Sequence, residues 1–145
     1  MIRGGCLCGN VRFEFEKADG PFEFCHCNRC RKVTGAASMP ALCVRVEDFR
    51  YLSGRKTIKT FEAPILRKPP AYRSAFCPTC GSPVPLPYEN NPFIDVPAGL
   101  LDNDPGVLPA RHIFVEHLAP WDRLTDDLPK LTREDVLKQR GISVP

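Results

Sequence analysis

Seven of the eight cysteines fall in three tight groups: Cys6 and Cys8, then Cys25, Cys27 and Cys30, and finally Cys77 and Cys80. Sulfurs so close along a turn can converge on one metal, and zinc takes thiolates tetrahedrally with Zn–S near ~2.3 Å. No single group completes that shell, so the fold has to bring distant segments together. Met1 to Asn10 shows no apolar signal-peptide core, and no uncharged apolar run approaches the ~18 residues of a membrane-spanning helix. The expectation is a soluble, cytoplasmic chain without a membrane partner. In that reducing compartment disulfides are rare, and metal ligation explains clustered cysteines better.

The residue after each group indicates which groups share a metal. Cys8 precedes Gly9 and Cys80 precedes Gly81, and a glycine there lets the backbone turn its amides toward the sulfurs. These matching ends pair Cys6, Cys8, Cys77 and Cys80 as a closed structural zinc site. Cys25, Cys27 and Cys30 remain as three ligands with a fourth position open, the pattern of a catalytic or exchangeable zinc. Two zinc ions per chain are therefore expected. Three thiolates and a divalent cation leave one net negative charge, which disfavours hydrolysis and favours capture of an incoming thiol as its thiolate.

Two other readings of the seven cysteines stay open at this point. One is a disulfide framework; the other makes all seven structural, with His26 or another side chain as a fourth ligand. His26 lies between two proposed ligands and is the candidate catalytic proton carrier. Arg29 and Arg31, with Lys32 beside them, are candidates to bind the carboxylates of an acidic thiol, since a guanidinium fork matches a carboxylate. A solvated, charged turn is the plainer alternative. Cys43, between Leu42 and Val44, reads as a small buried hydrophobe. His112 and His117 read as strand histidines without chemistry, and Trp121 as a packing anchor for the C-terminal segment.

The chain's 145 residues suit one domain spanning 1–145. Its 16 prolines are roughly twice the usual ~5% and exclude long helices. Val11, Phe13 and Phe15 alternate with Arg12, Glu14 and Glu16, the period of a strand with one buried face. A second strand is expected from Ala37 to Val46, with Pro40 at an edge or bulge. Shorter strands are expected at Thr57 to Glu62, Ala71 to Phe76 and Ile113 to His117. Thr132 followed by Asp135 resembles a capping box, and Lys138, Arg140 and Gly141 suit the end of one short C-terminal helix. The formal charge of only +3 does not make nucleic acid an expected partner.

Three motifs carry a resemblance to a known family: Gly4-Gly5-Cys6-Leu7-Cys8-Gly9, Cys25-His26-Cys27-Asn28-Arg29-Cys30-Arg31, and Phe76-Cys77-Pro78-Thr79-Cys80-Gly81-Ser82. With them the chain resembles the glutathione-dependent formaldehyde-activating enzymes and centromere protein V. The resemblance implies a mostly β fold, with zinc-stabilised antiparallel sheets of the β-tent type. It also implies zinc at both cysteine centres and a carbon–sulfur lyase acting on thiol–carbonyl adducts, such as S-(hydroxymethyl)glutathione, with glutathione as the small thiol. In the expected chemistry a thiol loses its proton at the open site and attacks an aldehyde carbonyl. The alternative is a zinc-stabilised binding module without catalysis, associated with chromatin or nucleic acid.

Overall fold

A computed structural model describes residues 1–142. The strands are β1 (Ile2–Gly5), β2 (Arg12–Phe15), β3 (Phe22–Cys25), β4 (Met39–Arg45), β5 (Phe49–Ser53), β6 (Lys59–Glu62), β7 (Arg73–Phe76), β8 (Phe93–Pro97), β9 (Arg111–Ile113) and β10 (Lys130–Leu131). Among the described residues two α-helices, α1 (Asn28–Thr34) and α2 (Arg133–Gln139), and four short 3-10 turns complete the regular structure. The strands form three sheets, ordered β1-β2-β5, β10-β9-β3-β4-β8 and β6-β7. Pairing is antiparallel except around β9, which runs parallel to both β3 and β10. The fold is thus mostly β with antiparallel sheets and short helices, as expected.

The first two sheets bury Phe13, Phe15 and Phe49 against Leu42, Val44, Ile94 and Val96. Phe13 stacks on Phe49 at 5.4 Å between ring centres, the offset geometry that aromatic quadrupoles favour. Beyond the sheets lie two smaller clusters, each built around cysteines. One holds Cys6, Val11, Ala75, Cys77 and Val84, the other Cys25, Cys30, Ile113 and Val136. The cysteine motifs therefore sit at the sheet ends, where a proline-rich chain has least apolar core of its own.

Strand β2 departs from the alternation that predicts it, because Glu14 is buried as fully as its neighbours, at 3% exposure. The cause is its central position in the first sheet. Register places Arg3 of β1 on one side of Glu14 and Arg50 of β5 on the other. The Nε of each arginine donates to the carboxylate, at 3.0 Å and 2.8 Å. Arg3 first and then Arg50 hold the Glu14 carboxyl below its ordinary value of 4.5. The folded state thus gives up this proton more readily than the unfolded chain. Its stabilisation is complete above the ordinary value and fades as pH falls through the lowered one. Glu14→Gln is expected to lower the melting temperature at pH 7, and the gap to the parent protein should close in acid melts below about pH 4.

Pro40 lies within β4, pairing with Phe24 on one side, and the β8 ladder begins only at Ala41. Its missing donor thus falls where the strand has one neighbour, as edge-seeking proline requires. The run from Ile113 to His117 is not one strand. Phe114 takes left-handed angles of φ 57° and ψ 42°, which end β9, and Val115–His117 form a 3-10 turn. At the C-terminus Thr132 and Asp135 exchange both capping-box bonds, and Gly141 follows the helix with φ 67°.

Candidate metal centres and the adjoining groove

Cys6 and Cys8 lie on the turn leaving β1, Cys77 and Cys80 on the turn leaving β7, and their four sulfurs gather within 4.8 Å of one another. The Sγ separations are 3.6 Å from Cys6 to Cys8 and 3.7 Å from Cys8 to Cys77. Tetrahedral thiolates on zinc stand about 3.8 Å apart, given the ~2.3 Å bond, so the donor set and spacing fit that ion. Gly9 and Gly81 adopt φ of 77° and 75°, where a side chain would be strained. Each glycine amide donates back into its own turn, to Cys6 and Cys77. Ser82 joins the halves: its Oγ accepts from the Leu7 amide and its carbonyl from the Cys77 amide. The Ser82 hydroxyl beside it also holds the Cys80 thiol down at about 5.

The second centre is Cys25, Cys27 and Cys30, again within 4.8 Å of one another. Cys25 closes β3, and Cys27 caps α1 by accepting from the Cys30 amide at 3.4 Å. Cap and cluster are one feature, since the bond that starts the helix turns Cys30 toward Cys25. The thiol of Cys25 and then that of Cys30 stabilise a thiolate at Cys27, pulling its pKa far down, while Cys25 is pushed up to about 12. Three thiols gathered this closely are a donor set that fits a thiolate-binding divalent ion such as zinc. Cys43 stands apart, half-buried in β4, and burial pushes its thiol up. Among the described residues no cysteine forms a disulfide.

His26, expected as the proton carrier, is buried inside the protein. Its ring is 1% exposed, and its Nε2 lies 2.8 Å from Nδ1 of His112, whose Nε2 is 3.0 Å from Asp126. Burial first, and then His112, push the His26 pKa down. Neutral imidazoles in such a chain have one proton each to share. If His112 donates to Asp126, then His26 must donate to His112, leaving its Nδ1 without a partner; Asp122 is 3.8 Å away. Phe24 stacks on His112 at 5.0 Å. The chain of rings anchors the Cys25–Cys27 segment from behind, and His112, expected to carry no chemistry, is its central link.

A groove of about 520 Å³ reaches Cys27 and is lined also by Asn28, Arg29, Leu66, Tyr72, Phe114 and His117. Arg29, a candidate for carboxylate binding, lines the groove, donates to the Pro64 carbonyl at 2.9 Å and sits over the Tyr72 ring. Arg31 does not line the groove; it donates to the His26 carbonyl and the Asn28 side chain, fastening α1 to the cysteine loop. Trp121 is 69% exposed, so it is not the buried packing anchor expected of it. Tyr72, Phe114 and His117 come from two segments distant in sequence from Cys25, Cys27 and Cys30. The strongest signal for them is structural: a bulky residue at left-handed angles, as Phe114 is, marks strain of the kind concentrated at binding sites.

A mostly β protein with one four-cysteine and one three-cysteine centre, the latter open to a groove, defines a narrow class. The chain belongs to the glutathione-dependent formaldehyde-activating enzyme family, whose model matches residues 1–117. A relative from Halomonas elongata, named provisionally as a glutathione-dependent formaldehyde-activating enzyme, is 27% identical over 128 residues. That alignment covers 83% of this chain and 79% of the relative. The crystal structure of a Rhodobacter sphaeroides protein has the same fold, with a TM-score of 0.54 at 23% identity, covering 88% of this chain and 98% of that one. Among the described residues no helix is long and apolar enough to cross a membrane.

Proposed function

We propose that the protein joins a small thiol, with glutathione as the leading candidate, to formaldehyde, or runs the same step backwards as a carbon–sulfur lyase. The observation that carries this reading is the groove that opens onto Cys27 within a three-cysteine centre. In the forward direction the sulfur attacks the carbonyl carbon, one carbon–sulfur bond forms, and the thiol proton ends on the former carbonyl oxygen. Zinc held by Cys25, Cys27 and Cys30 would supply a site where the substrate thiol gives up its proton while its sulfur stays nucleophilic. His117, which lines the groove, would take that proton and return it to the oxygen. His26, through His112 and Asp126, holds the cysteine loop in register as a positioning residue.

The four-cysteine centre holds the turns after β1 and β7 together and has no part in the chemistry. Thiolates that must stay reduced suit a reducing compartment such as the cytoplasm. The test is exchange between carbon-labelled formaldehyde and its glutathione adduct, followed by nuclear magnetic resonance. Metal-replete protein at micromolar concentration is expected to speed that exchange well above the uncatalysed rate. An exchange rate unchanged by metal-replete protein would contradict the reading.

A further inference from the structure

The groove beside Cys27 carries Arg29, Arg67 and Arg133 and not one acidic side chain. Arg29 is already committed to Pro64 and Tyr72. Among the described residues the guanidinium groups of Arg67 and Arg133 enter no ion pair, although both line the cavity. Their positions are also locally unfavourable or unsupported. Arg133 is the first residue of α2, where the helix dipole disfavours a cation. Glu134 and Asp135 follow it in the same turn and offset that charge. Arg67 sits in the connection between β6 and β7, beside the exposed Leu66. Arg67 and Arg133 thus bring two cations from separate segments to the lining of one cavity, and the Glu116 carboxylate that accepts from the Arg133 backbone amide enters no ion pair with its guanidinium among the described residues.

We propose, resting on the reading of the site given above, that Arg67 and Arg133 determine its specificity by each taking one carboxylate of the thiol. Glutathione, the thiol of the reading above, has two carboxylates to meet them, and small neutral thiols are selected against. A guanidinium fork binds a carboxylate through two parallel hydrogen bonds, and a groove of about 520 Å³ is of the size that holds small organic ligands. Tyr72 and Phe114 supply the apolar walls between the two charged ends. A phosphorylated thiol offers similar oxyanions, and the test separates the two.

The test uses S-methylglutathione, which keeps both carboxylates but has no thiol to deprotonate, with binding measured by calorimetry on metal-replete protein. Arg67→Gln and Arg133→Gln are each expected to weaken binding about tenfold, the size of one lost charge-assisted contact. Arg67→Lys and Arg133→Lys should recover part of the loss, because charge returns without the fork. The diester of S-methylglutathione should not bind measurably. Unchanged affinity in both glutamine variants, with circular dichroism showing intact folds, would overturn the proposal. Tighter binding of S-methyl phosphopantetheine than of S-methylglutathione would overturn the carboxylate assignment. If the variants lose binding while the protein fails to speed formaldehyde exchange, the arginine assignment stands and the proposed reaction falls. If exchange is accelerated and the variants are unchanged, the reverse holds.

Discussion

Cys77→Ala is expected to leave a protein that does not fold cooperatively. Cys77 is fully buried, and its turn is the far half of a centre that begins at Cys6. Structural zinc contributes on the order of 10 kcal/mol to folding in small domains, comparable with the whole stability of a typical one, ~5–15 kcal/mol. The cluster around this centre is small, with Val11, Ala75 and Val84 as its other buried members, so little apolar burial stands in for a lost ligand. Circular dichroism should show loss of the cooperative melt. Metal analysis should fall from about two ions per chain, and a variant that melts like the parent protein would remove the four-cysteine centre from the folding account.

Cys27→Ala should act differently. Its sulfur caps a helix of seven residues and belongs to the centre that the groove reaches, so its loss falls on chemistry more than on folding. Without the cap, α1 loses a bond worth about 1 kcal/mol, a small fraction of the total. Adduct exchange should fall at least ~100-fold, the upper end of what even an indirect change at a metal site costs. One metal ion per chain should remain. The measurement is exchange rate and metal content on the same sample, with the melting temperature as the control. Full activity with one ion per chain would place the reaction elsewhere.

The two variants separate what sequence reading can and cannot supply. Cysteine spacing and the paired glycines were enough to pair Cys6 and Cys8 with Cys77 and Cys80, because a tight turn and a positive φ are local properties. The capping box of α2 was readable for the same reason. Helix α1 was not, since its cap is a cysteine, outside the usual Ser, Thr, Asp and Asn set, and its seven residues bury little to give a period. Strand β1 shows no alternation because two of its four residues are glycine, and β3 ends on Cys25 where an alternating pattern calls for a polar side chain. Glu14 misled in the other direction, because cross-strand arginines made burial of a charge acceptable. The groove was least accessible of all. Arg29, Arg67, Phe114 and Arg133 meet only through tertiary packing, and no spacing rule connects them.

The central claim is that the three-cysteine centre takes up a substrate thiol, and visible spectroscopy of cobalt-substituted protein tests it most directly. Cobalt reports its own ligand set, so a sulfur entering the shell changes both geometry and charge-transfer absorption. With both centres filled, millimolar glutathione should alter the bands of the Cys25, Cys27 and Cys30 centre and leave those of the four-cysteine centre unchanged. Uptake as thiolate releases a proton, so apparent affinity should rise with pH until the free thiol itself ionises near ~8.5. Spectra that stay unchanged on adding thiol across that pH range would contradict the account and leave both centres structural.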